Sequence, residues 1–148
     1  MKISILYASW FGNGSKVVKE LADILKAKNQ DVTLYRVNEK IMDNLPFADL
    51  YIFSTPTRKF ALPYEMEKSV ENFSLNSEGS KYALITTYLD PRTIALKKLE
   101  SILEKKKMVK MVDDLKIRVK GLKGVLEENY KVKMNKFAED IINNLLEH

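Results

Sequence analysis

The chain has no cysteine and one histidine in 148 residues, with five glycines, four prolines and one tryptophan. Without thiols there is no disulfide, no thiolate nucleophile, and no zinc or iron–sulfur centre held by cysteine. The lone histidine is His148, and Leu146-Glu147-His148 reads as the start of a vector-encoded tag. No native imidazole is therefore expected, which removes Ser–His–Asp and Cys–His catalysis and histidine acid–base chemistry. Long apolar runs are missing as well: none approaches the ~20 residues that span a bilayer. Lys2 leads straight into a strand rather than a signal peptide, so a cytoplasmic location without a membrane partner is expected.

What is present describes one globular domain over residues 1–148, with 45% hydrophobic and 30% charged residues. Net charge is +5. Much of the positive charge lies late in the chain, in Lys97, Lys98, Lys105, Lys106, Lys107, Lys110, Lys116, Arg118, Lys120, Lys123, Lys131, Lys133 and Lys136. A basic face on the C-terminal half follows, either as a solvated Lys/Glu surface of the kind found in heat-adapted proteins or as a docking face for an acidic partner. The run lacks interleaved aromatics and any recognition motif, which argues against nucleic acid.

Hydrophobic periodicity orders the elements. Lys2 to Ala8 reads as a buried strand, and from Ser15 the residues Val17, Val18, Leu21, Ala22 and Leu25 recur at helical spacing. Asp31 to Val37 alternates Val32 and Leu34 with Thr33 and Tyr35, the mark of an edge strand. Asn38 to Ala48 reads as an irregular or short helical connection, and Leu50-Tyr51-Ile52-Phe53-Ser54 as a central strand without polar relief. Pro63 suits the first turn of a helix carrying Met66, Val70 and Phe73, which the connection Ser74 to Ser80 ends. Lys81 to Thr87 is a fourth strand, and Thr93 caps a helix with Ile94, Leu96, Leu99, Ile102 and Leu103. Leu115 to Val119 is a fifth, alternating strand, Gly121 and Gly124 mark a loop, and Phe137, Ala138, Ile141, Ile142 and Leu145 form a last helical stripe.

The order βαβαβαβαβα implies an α/β fold, a parallel sheet with helices on both faces, because each crossover is right-handed. Five such strands commonly adopt the order 2-1-3-4-5, and the edge character of the second and fifth agrees. The switch point then falls between strands one and three. The loops after Ala8, Ser54 and Thr87 are expected to meet there, above the carboxyl ends of the strands.

The first of these loops, Ser9-Trp10-Phe11-Gly12-Asn13-Gly14-Ser15-Lys16, joins a strand to a helix and aims backbone N–H groups and the helix dipole at an anion. Gly12-Asn13-Gly14-Ser15-Lys16 is too compressed for a triphosphate-wrapping Walker loop. Val17 stands where a dinucleotide fingerprint has its third glycine, and Arg36-Val37-Asn38 supplies no ribose-binding acid. A short loop suited to one terminal phosphate remains.

At this point the chain resembles the flavodoxins, whose Ser/Thr-x-Thr-Gly-x-Thr loop after the first strand holds the phosphate of FMN. Phe11 and Gly14 replace the two later threonines, while Ser9 and Ser15 keep hydroxyls. The segment Ser54-Thr55-Pro56-Thr57-Arg58-Lys59-Phe60 resembles the Ser-Pro-Thr loop after the third strand. The resemblance implies a three-layer flavodoxin-like sandwich. It further implies FMN held by Ser9, Trp10, Phe11, Gly12, Asn13, Gly14 and Ser15 at the phosphate, and by Thr55, Pro56, Thr57, Arg58, Phe60, Thr87 and Tyr88 around the ring. Trp10 and Phe11 pack over the ligand or close the loop against protein. Phe60 stacks on the flavin or anchors its loop, Tyr88 covers the other flavin face, and Asp90 with Pro91 initiates a turn. Arg58 beside the ring favours the reduced, anionic flavin and raises its potential.

The function so implied is that of an FMN-binding redox protein, in electron transfer or NAD(P)H/quinone-type oxidoreduction, with a redox protein, nicotinamide or quinone as partner and no protein acid or base. The alternative is a flavodoxin-fold interaction or regulatory module that has lost FMN, motivated by the two missing threonines. A receiver-type signalling domain shares the strand order, but Ser9-Trp10 and Ser54-Thr55 stand where it needs acidic residues.

Overall fold

The computed structural model describes residues 1–9, 12–37, 45–57, 61–73, 79–121 and 124–147. Strands β1 (Lys2–Tyr7), β2 (Asp31–Arg36), β3 (Leu50–Pro56), β4 (Lys81–Tyr88), β5 (Val109–Lys110) and β6 (Leu115–Arg118) form one parallel sheet. Helices α1 (Asn13–Ala27), α2 (Tyr64–Glu71), α3 (Ala95–Lys105) and α4 (Tyr130–Glu147) connect and follow them. The order is β2-β1-β3-β4, and both β5 and β6 pair with β4 on its free edge. This is the expected 2-1-3-4-5 arrangement with its fifth position divided in two. Lys81 and Tyr82 pair with Val109 and Lys110, and Ile85 to Tyr88 pair with Leu115 to Arg118. Residues 111–114 thus oppose only Ala83 and Leu84, and this excess of chain interrupts the edge.

Period-two alternation sorts the three central strands between two cores. Ile3, Ile5, Leu50, Ile52, Ala83 and Ile85 face α1 and α4, where Val17, Val18, Leu21, Leu25, Met134, Phe137 and Ile141 complete the cluster. Leu6, Tyr51, Phe53, Tyr82 and Leu84 face α2 and α3, against Met66, Val70, Leu96, Leu99 and Leu103. Burial on both faces explains why β3 has no polar relief, whereas β6 alternates buried Leu115 and Ile117 with exposed Lys116 and Arg118. Tyr51 reaches its buried position without stranding its hydroxyl, which accepts from the Ala48 amide at 3.0 Å. At the sheet edge, the Lys110 ammonium lies 2.9 Å from Glu100 and 2.8 Å from Asp114, pinning the interrupted segment to α3.

Several boundaries differ from the sequence reading. β1 ends at Tyr7, and α1 begins at Asn13 because Gly12 takes the left-handed conformation that ends the loop (φ 87°). Pro63 lies just outside α2, with extended ψ (140°), rather than in its first turn. α3 starts at Ala95, so Ile94 precedes it and is exposed instead of joining the apolar stripe. Most of the connection 38–48, and of 74–80, lies outside the described residues.

Candidate functional site

The three loops singled out by the sequence do rise from adjacent strands at one end of the sheet. Tyr7 pairs with Ser54, and Pro56 with Thr87, so β1, β3 and β4 finish side by side. The Ala8 amide donates to the Ser54 carbonyl at 3.0 Å, and the Val37 amide to the Tyr7 carbonyl at 2.9 Å, extending the ladder to the rim.

From there the first loop climbs into α1. Lys16 makes the first helical bond, to the Gly12 carbonyl at 2.9 Å, so the Gly14 and Ser15 amides before it lie ahead of the helical ladder. Gly12, at the N-cap, has no side chain to cap the helix, and no acidic residue sits in the first turn to offset the positive end of its dipole. Gly14 is buried against the strand end: a β-carbon there would stand 3.3 Å from the Ala8 carbonyl oxygen and 3.5 Å from the Ser9 β-carbon. Its missing side chain is what lets the helix start so close to β1. Ser9 is 5% exposed, and its Oγ has no hydrogen-bond partner among the described residues. Such a buried, unpaired hydroxyl invites a ligand atom, because leaving it unsatisfied costs on the order of 1–3 kcal/mol. Ser54 Oγ, buried at the end of β3, is likewise without a partner.

A cation that the sequence reading passed over stands beside this loop. The Arg36 guanidinium, at the end of β2, donates to the Ser9 carbonyl and lies 5.9 Å from the Tyr7 ring centroid. Its place at the carboxyl end of the strand next to β1 was the available signal.

The second and third loops are tied together. Thr93 donates to Thr57 Oγ1 at 3.1 Å, the Thr57 and Thr86 hydroxyls are 3.0 Å apart, and Thr86 donates to the Thr55 carbonyl at 2.8 Å. Since each hydroxyl has one proton, Thr57 is the donor to Thr86. The Ala95 amide enters the same chain by donating to Thr93 Oγ1 at 3.1 Å. The Thr57 amide donates to the Thr87 carbonyl at 3.0 Å. Thr57 therefore spends both its donors inside the protein. Thr55, whose hydroxyl donates to the Pro56 carbonyl at 3.1 Å, and Thr87 are buried, while Pro56 and Tyr88 are partly exposed at the rim. Asn13 and Ser15 are also partly exposed, in the first turn of α1. Trp10, Phe11, Arg58 and Phe60 lie outside the described residues.

A fourth loop, after β6, also reaches the site: a β-carbon on Gly124 would lie 3.4 Å from Asn13 Oδ1. Past Tyr88, the Arg92 guanidinium forks onto Asp90 at 2.8 and 3.1 Å, and that hydrogen bonding brings the Asp90 carboxyl down to about 2. The expected Asp90 turn is present, with the Arg92 amide donating to the Asp90 carboxylate at 2.9 Å.

The sequence matches no protein-family model and no curated protein. Among solved structures, the oxidised Flavodoxin 2 of Bacillus cereus superposes with a TM-score of 0.81 at 23% identity, covering 97% of this chain and 99% of its own. A flavodoxin from the domain Archaea gives 0.80 at 20% identity, over the whole of both chains. The fold is flavodoxin-like. The same flavodoxin-like fold is matched within a longer protein, the rubredoxin oxygen:oxidoreductase of Desulfovibrio gigas, with a TM-score of 0.80 at 17% identity over 97% of this chain and 36% of that one. Among the described residues, no helix is long and apolar enough to cross a membrane.

Proposed function

We propose that this chain, a single domain over residues 1–148, binds FMN at the carboxyl rim of β1, β3 and β4 and serves electron transfer. The observation that carries the reading is the pairing of an α1 N-terminus that holds no acidic residue, behind left-handed Gly12, with the Ser9 hydroxyl, which has no partner among the described residues. A phosphate oxygen suits both: the Gly14 and Ser15 amides and Ser9 Oγ would donate, and Arg36 adds positive potential beside the loop. The residues present therefore fit a phosphate-bearing ligand, even though Phe11 and Gly14 replace two hydroxyl residues of the flavodoxin pattern. Backbone donors carry the anion in such nests, so two absent hydroxyls weaken the site without abolishing it.

Bound FMN supplies the redox chemistry. The chain's part is to hold and orient it. The relay from Thr93 through Thr57 and Thr86 to the Thr55 carbonyl ties the end of β3 to the end of β4, so a contact made by Tyr88 starts from a braced frame. No protein group is needed to move a proton. A redox protein, a nicotinamide or a quinone would be the partner in that chemistry.

Titration of FMN with purified protein tests the reading. Flavin fluorescence quenches and the visible spectrum shifts when the ring stacks on protein. Unchanged FMN spectra at high protein concentration reject the cofactor reading and favour an interaction module built on the same fold.

A further inference from the structure

The two edges of the sheet are built differently. On one side β5 is two residues long, and the segment 111–114 separates it from β6, so that edge is broken. On the other side β2 runs without interruption from Asp31 to Arg36, and it has none of the proline, lysine or bulge that blunts an edge strand. Its one cation, Arg36, is turned inward onto the Ser9 carbonyl. The Asp31 amide donates to the Met1 carbonyl and the Val37 amide to the Tyr7 carbonyl, with an unbroken register between them, so the odd-numbered residues bond to β1. The amides and carbonyls of Val32, Leu34 and Arg36 therefore point away from the sheet, and no strand pairs with them among the described residues.

Both flanks of this edge are polar and mostly cationic. α1 packs over β2, and its Glu20 accepts from the Tyr130 hydroxyl at 3.2 Å, so that side of the helix faces α4. Lys19 and Lys26, seven residues apart, line up on the other side of α1, above the β2 edge. Both are exposed, and neither makes an ion pair among the described residues; Asp23, between them in sequence, pairs with neither. On the opposite face a groove of about 110 Å³ runs beside the strand, lined by Lys2, Ser4, Asp31, Thr33, Tyr35 and Phe47. Asp31 is its one carboxylate, against the Lys2 ammonium and three hydroxyls, and Phe47 stands 70% exposed beside them.

We infer that β2 accepts an added strand, an extended acidic segment of a partner protein. The segment's main chain pairs with Val32, Leu34 and Arg36, and its side chains alternate between the two faces. Carboxylates on one face meet Lys19 and Lys26, and the side chains between them enter the groove. No flavin enters this contact. A second copy of this chain is the poorer occupant: two-fold antiparallel pairing of β2 with itself sets Lys19 of one copy against Lys26 of the other, and like charge opposes it.

The test titrates the full-length protein with the peptide acetyl-Glu-Thr-Glu-Tyr-Glu-Thr-amide at low ionic strength, following amide NMR shifts and amide hydrogen exchange. Two comparison peptides carry lysine in place of glutamate, or N-methyl groups at every residue, which keep the charges and remove the strand's donors. The expected result is binding that weakens with salt and slows exchange at the Val32, Leu34 and Arg36 amides, which a contact of charges alone does not protect. The double variant Lys19→Glu/Lys26→Glu, at exposed positions that leave the core intact, binds about tenfold more weakly, and neither comparison peptide binds. Failure of the glutamate peptide to bind overturns the proposal, as does binding that leaves those three amides unprotected. Equal binding by either comparison peptide, or by the double variant, overturns it too. Protection of the same amides that grows with protein concentration and needs no peptide assigns the edge to a second copy and overturns it as well.

Discussion

Replacing Ser9 by alanine separates a ligand-binding hydroxyl from a structural one. Ser9 Oγ is buried and has no partner among the described residues, so in the ligand-free protein it is a cost rather than a support. An unpaired buried hydroxyl costs about 1–3 kcal/mol. Alanine keeps the β-carbon, the atom closest in Ser9 to where Gly14 would carry its own (3.5 Å), and discards only the oxygen. Ser9→Ala is therefore expected to leave the ligand-free protein unchanged or more stable by about 1 kcal/mol, a rise of roughly 2–4 °C in Tm at this chain length. FMN binding moves the other way. A hydrogen bond to a charged phosphate is worth about 1.5–3 kcal/mol, so Kd rises roughly 10- to 100-fold. The assays are thermal denaturation of the ligand-free protein and fluorescence titration with FMN. Loss of several degrees in Tm without FMN, or an unchanged Kd, refutes the assignment of Ser9 to the phosphate.

Three further substitutions probe the frame around the site. At Gly12 a β-carbon meets nothing within 4 Å, yet φ is 87°. Gly12→Ala should then cost about 1 kcal/mol through backbone strain alone and Gly12→Asn less, since asparagine tolerates that conformation; equal Tm values for the two variants contradict this. Tyr82 is 1% exposed, and burial, the largest cause, raises its hydroxyl from 10.0 to about 12. Between those values only the unfolded state releases the proton, so stability falls as pH rises, by about 2 kcal/mol at pH 12. Urea denaturation across pH 9–12 should show that fall in the natural protein and a smaller one in Tyr82→Phe. Burial lowers the Lys110 ammonium, but hydrogen bonds to Asp114 and Glu100 outweigh it and raise it overall. Lys110→Met leaves those partly buried carboxylates facing each other and should cost about 1–2 kcal/mol in urea denaturation, less at high salt; no loss shows that the contact does not hold the edge.

Features that depend on one strand's own sequence were legible, and those that depend on register were not. Uninterrupted apolar residues in Leu50 to Phe53 placed β3 at the centre, and alternation in Asp31 to Arg36 and Leu115 to Arg118 placed β2 and β6 at edges. Gly12 and Gly14 announced the turn into α1, although the helix starts two residues before Ser15 because Asn13 and Gly14 already belong to it. β5 escaped notice because it is two residues long and turns Val109 to solvent. Thr86 reads as one more strand residue until the β3–β4 register sets it against Thr55 and Thr57. Arg36 looked like a missing ribose acid; only the packing of β2 against β1 brings it to Ser9. The loop carrying Gly124 was read as punctuation, and its approach to Asn13 follows from where β6 ends.

The central claim is that a phosphate sits at the start of α1 and fixes FMN at the carboxyl rim. Titrating the protein in parallel with FMN and with riboflavin, which differ by that phosphate alone, measures it directly. FMN is expected to bind and quench with riboflavin at least about 100-fold weaker, the loss of roughly 3 kcal/mol of charge-assisted bonds. Equal affinity for the two flavins, or no quenching with either, contradicts it.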